Sequence, residues 1–161
     1  MTTRSDFTDE EWARVERAPF IAGLAISLAD PGGPIEAVKE SLAVVRAVTD
    51  AATSGSGAEL VDQAAKGVAE KAKQRQSPLR DFRPKGALAG QAILDELRAA
   101  NALVTQKATP DEAAAFRAWL LDAAKRSAEA AKEGGFMGFK AERVSAGERE
   151  MLDKLGEVLS G

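Results

Sequence analysis

The chain of 161 residues is sized for one domain. With 45% hydrophobic and 29% charged residues it carries enough apolar surface to build a core. The formal charge of −3 supplies no global positive field toward nucleic acid or acidic lipid. The absence of Cys, His and Tyr excludes thiol nucleophiles, disulfides, imidazole bases, zinc sites built on Cys or His, and phenolic acids.

The N-terminal stretch is polar and acidic, unlike a secretory signal, and the most apolar segment, 20–28, is too short to span a bilayer. A cytoplasmic protein with no transmembrane segment is expected. Ala is the most frequent residue and strand-like alternation is missing, so the expected class is all-α. Thr8 and Glu11 form a capping box that starts a first helix near Asp9. Pro19 falls inside it and predicts a kink or a restart. The turn Asp30-Pro31-Gly32-Gly33-Pro34 ends it, and Pro34 suits the first position of a second helix.

In that second helix, about 34–52, Ile35, Val38, Leu42, Val45 and Val48 recur at three and four, a stripe expected to face the core. After a Gly/Ser break at 53–57, a third helix carries a thin apolar face of Leu60, Val61, Ala64, Val68 and Ala72, expected to lie outside the core. Residues 73–86 hold Pro78, Pro84 and Gly86 among Lys and Arg and read as a mobile irregular connection pinned by Leu79 and Phe82. A fourth helix presents Ala89, Ile93, Leu97, Ala100 and Val104. Thr109-Pro110-Asp111-Glu112 is a strong start for a fifth, with Phe116, Trp119, Leu120, Ala123, Ser127 and Ala130 inward. Ser145 and Glu148 cap a last helix bearing Met151, Leu152, Leu155, Val158 and Leu159. The expected architecture is a single-domain bundle of five or six helices, with the first, second, fifth and sixth forming the core.

A loose echo links the two ends. Trp12, Asp30, Gly32, Gly33, Glu36 and Glu40 follow the same order as Trp119, Glu133, Gly134, Gly135, Glu148 and Glu150, as two pseudo-repeated helical hairpins would. The run Ala128-Glu-Ala-Ala-Lys-Glu-Gly-Gly135 followed by Arg143-Val-Ser-Ala-Gly-Glu-Arg-Glu-Met-Leu152 resembles tellurite-resistance TerB-like domains over roughly the last third. That resemblance implies a small cytoplasmic all-α module tied to stress response or membrane-associated complexes, with acidic residues suspected of holding a divalent ion. Glu133-Gly134 stands where the family has an Ala-Asp-Gly turn, and an insertion with Phe136, Met137 and Phe139 follows.

Three groups of residues carry candidate chemistry. Carboxylates at the turns, Asp30, Glu36, Glu40, Glu133 and Glu148, offer oxygen ligands for Ca, Mg or Mn, or else serve as helix caps and dipole partners. Phe136, Met137 and Phe139 among glycines form either a partner-docking knob or a plug folded onto the core. Residues 66–85 carry seven basic and two acidic side chains, a local charge of +5 in which Arg75, Arg80, Arg83 and Lys85 could meet phosphates of RNA or lipid or simply face water. Phe82 alone gives that segment no stacking platform, so nucleic acid is not the expected partner. Trp12 and Trp119 lie on apolar stripes and are expected in the core. Ser27, Ser41, Ser127 and Ser145 have no activating base and no Ser-x-x-Lys or Gly-x-Ser-x-Gly context. The sequence therefore points to a non-catalytic binding or scaffolding module without a required cofactor, its partner a protein, with self-association one way to complete thin apolar faces.

Overall fold

The computed structural model describes residues 1–132 and 144–160, and among them every regular element is helical. The helices are α1 (Asp9–Ala29), α2 (Pro34–Ser54), α3 (Glu59–Lys73), α4 (Ala89–Lys107), α5 (Pro110–Lys132) and α6 (Ala146–Ser160). Short 3-10 turns at Arg4–Asp6 and Gly86–Leu88 precede α1 and α4. The expected starts are present in atomic detail. Glu11 N–H donates to Thr8 Oγ1 at 3.2 Å and Thr8 N–H donates to Glu11 Oε2 at 2.8 Å. The same reciprocal pair joins Thr109 to Glu112 at 3.1 and 3.3 Å, and Ser145 to Glu148 at 2.8 and 3.2 Å. α1 continues through Pro19 without a restart.

α1 and α5 form the axis of the bundle, and each packs against all four other helices as well as against the other. The main core contains Trp12, Val15, Ile21 and Ile26 of α1, Ile93, Leu97 and Val104 of α4, Phe116 and Leu120 of α5, and Leu155 and Leu159 of α6. Trp12 and Trp119 are both buried there. Phe7 closes one end against Trp12, with ring centroids 5.4 Å apart.

Two expectations about the core are corrected. The third helix is not peripheral: Leu60, Val61, Ala64 and Ala65 of α3 are fully buried in the main core. Its thin, Ala-rich face is what lets α3 approach closely, since small residues shorten the distance between helix axes. Gly67 belongs to the same contact, because a Cβ there would run into the Glu16 carboxylate. Conversely, the second helix does not bury Ile35, Val38, Leu42 and Val45; all four are exposed, Ile35 by 73%. α2 instead turns Ala43, Val44, Ala47, Val48 and Ala51 inward. Val44 and Ala47 form a small cluster with Ala123 of α5, where short side chains bring the helices together.

Candidate functional site

A cavity of about 260 Å³ opens between α1, α2 and the connection after α3, beside the exposed side of α2. Phe20 and Leu24 of α1, Val44 and Val45 of α2, and Pro78 and Leu79 of the connection make its apolar walls. Gly23 sets its depth: a Cβ there would stand 2.6 Å from Val44 Cγ2, so only glycine permits this α1–α2 spacing.

The remaining lining groups are polar: Ser27, Glu40, Ser41, Ser77 and Ser127. Four of them are serines, and the fold brings Ser27, Ser41 and Ser127, which lack an activating base, together around a carboxylate instead. Ser27 Oγ–H donates to Glu40 Oε2. Ser41 Oγ–H donates to the Ala37 carbonyl at 2.8 Å, leaving its oxygen free to accept. Ser127 Oγ is buried and makes no hydrogen bond among the described residues. Glu40 is only 2% exposed. Burial pushes its carboxyl above the ordinary value, the Ser27 hydroxyl opposes that rise, and the charges of Glu148, Glu36 and Asp30 add to it.

Of the turn carboxylates, Asp30, Glu36, Glu40 and Glu148 therefore share one electrostatic neighbourhood. Glu36 accepts from Gly33 N–H at 2.7 Å, and Glu148 is buried as the cap partner of Ser145. Among the described residues no group of three or more acidic side chains converges to hold a metal ion. Glu133 lies outside the described residues, as do Phe136, Met137 and Phe139 and the Gly134-Gly135 turn of the hairpin echo.

Arg75, Arg80, Arg83 and Lys85 are all exposed on the connection. Arg80 lines a second cavity of about 110 Å³ that shares Ser77 and Pro78 with the first. Arg17 and Lys71 also line it, but both are neutralised: Arg17 pairs with Glu96 at 3.0 Å, and Lys71 pairs with the buried Glu16.

The outer side of α2 is the larger feature. Ile35, Val38, Leu42 and Val45 are spaced three, four and three residues apart, the seam spacing of a helix that packs on another helix. Lys39 and Arg46 follow Val38 and Val45 by one residue and flank the seam on one side. Ser41 and Val45 join its other side to the cavity, beyond which lies the basic connection. The spacing was visible in the sequence, but its direction was not, because α2 carries a second, Ala/Val-rich arc that suits close packing better. No described helix is long and apolar enough to cross a membrane. No family model, curated protein or solved structure matches the chain.

Proposed function

We propose that the protein is a non-catalytic binding module whose outer α2 face docks an amphipathic helix of a partner protein, apolar along one stripe and acidic along its flanks. The observation that carries this reading is the exposed run Ile35, Val38, Leu42 and Val45 on a helix that already has a different buried face. Contiguous apolar surface of this kind marks interaction sites. The charge distribution favours an acidic partner: Lys39 and Arg46 border one side, and the connection bearing Arg80 borders the other. A second copy of the chain suits this face less, because antiparallel self-pairing sets Lys39 and Arg46 against the same cations. A small helical module acting in the cytoplasm is also what the TerB-like resemblance of the last third implies.

The test is calorimetric titration with two designed helical peptides that share a Leu seam and differ in flanks, one Glu-rich and one Lys-rich. The Glu-flanked peptide is expected to bind, the Lys-flanked one at least about tenfold more weakly, with the difference shrinking as salt is raised. Val38→Asp and Leu42→Asp are expected to abolish binding. Equal binding of both peptides, or binding that survives both substitutions, refutes the docking face. Concentration-dependent dimerisation in sedimentation that both substitutions abolish assigns the face to a second copy and contradicts the proposal.

A further inference from the structure

The cavity beside α2 has a composition that apolar docking alone does not explain. An apolar anchor is best received by an apolar floor, yet this one has a nearly fully buried carboxylate and a buried hydroxyl with no partner among the described residues. Each is a cost to folding, since a buried hydroxyl without a hydrogen bond forfeits its hydration and a buried carboxylate is desolvated. Substitution of Ser127 by Ala would remove the first cost with no loss of contact, so the hydroxyl is poorly accounted for by packing.

The geometry supplies what a small cation with an aliphatic stem needs. Glu40 is an acceptor whose Oε2 is already held by Ser27, which fixes the carboxylate in place. Ser127 and Ser41 present further acceptor oxygens in the same cavity. A guanidinium is planar and wants a bidentate acid in a fixed plane, whereas an ammonium is compact and takes acceptors arranged around a point. The apolar walls match a short methylene chain, and Phe20 is one of the residues that make them. Glu148, Glu36 and Asp30 stand outside the lining, and their charges reach Glu40.

We propose that this cavity binds a primary alkylammonium group, its nitrogen against Glu40 and Ser127 Oγ and its methylene chain along Phe20, Leu24 and Val44. The group comes either from a lysine side chain of the docked protein or from a free alkyl amine. This deepens the docking proposal by naming what fills the cavity next to the seam, and it is tested separately, because a free amine needs no helix on α2.

The experiment is a methyl-NMR titration of the full chain with pentylamine, with pentanol and pentanoate as length-matched controls and N-acetyl-lysine methylamide as the second arm. Pentylamine is expected to shift the Leu24, Val44 and Leu79 methyls to saturation, while both controls leave them unmoved at the same concentration. Glu40→Gln and Ser127→Ala are each expected to weaken binding, the first by about tenfold or more, as loss of a charge-assisted hydrogen bond does. Saturation by the lysine derivative as well assigns the group to a protein side chain; saturation by pentylamine alone assigns it to a free amine. Equal shifts from pentanol or pentanoate, no shift from pentylamine, or unchanged affinity in both variants overturns the proposal. The Ser127→Ala variant guards against misfolding, since its spectrum away from the cavity is expected to match the parent's.

Discussion

Glu112 shows how much one carboxylate can organise. Its Oε1 accepts from Thr2 N–H at 2.7 Å and its Oε2 from Thr2 Oγ1 at 2.7 Å, while Thr109 N–H adds a bond at 3.1 Å. Burial raises its pKa, but the bonds from Thr2 and Thr109 outweigh that and hold it down at about 2. A depressed carboxylate contributes stability that is complete above its unfolded value near 4.5 and fades as pH falls toward about 2. Glu112→Gln is therefore expected to cost about 1.5–3 kcal/mol in urea unfolding at pH 7, a difference that nearly vanishes at pH 2. An equal cost at both pH values would show that the charge plays no part.

Glu40 has the opposite sign. With its folded pKa raised, stability is greatest below the unfolded value and declines as pH rises through the folded one, with Asp30, Glu36 and Glu148 facing it. Glu40→Gln is expected to melt above the parent at pH 7 and level with it at pH 3; a lower melting point at pH 7 would mean that the ionised carboxylate stabilises the fold. Ser127→Ala is likewise expected to leave stability unchanged or raise it, whereas a loss above about 1 kcal/mol would reveal a hydrogen bond at that hydroxyl. A stabilised Glu40→Gln and an undamaged Ser127→Ala would mark two side chains the fold does not require, and both line one cavity.

At the scale of elements, helix starts were legible because a Ser or Thr followed three residues later by Glu satisfies free amides locally, whatever the tertiary context. Which face of a helix turns inward was less legible. α2 offers two apolar arcs, and the larger side chains of Ile35, Val38, Leu42 and Val45 mark the wrong one as core. Neighbouring helices decide the matter: α5 brings Ala123 to the contact, and Val44 and Ala47 fit that narrow spacing. The inward face of α3 is hard to read for the same reason, because its Ala residues add little hydrophobicity yet permit close packing. The cavity was not legible at all, since Gly23, Glu40 and Ser127 are far apart in sequence and each has an ordinary explanation alone. At α6, a Cβ on Gly147 would stand 2.8 Å from the Ala29 carbonyl oxygen, a backbone atom. Gly147→Ala is expected to lower stability by about 1–3 kcal/mol through forced separation of α6 from α1, measurable in thermal unfolding. An unchanged melting point would place that contact at a longer distance.

At the scale of the whole molecule, α1 and α5 carry the fold and α2 is attached to it by one side. Phe116, fully buried at the centre, is expected to cost about 3–5 kcal/mol when replaced by Ala, against almost nothing for the outer seam of α2. That separation gives the bundle a surface whose apolar side chains are exposed while the same helix packs its other face inward, and the docking proposal rests on it. The most direct measurement is urea unfolding of the triple variant Val38→Ser, Leu42→Ser, Val45→Ser beside the parent. A midpoint corresponding to a change within about 0.5 kcal/mol is expected if these side chains are held for a partner. A loss comparable to that of core truncations, several kcal/mol or about 2 per residue, would mean that the seam belongs to the core and would contradict the central claim.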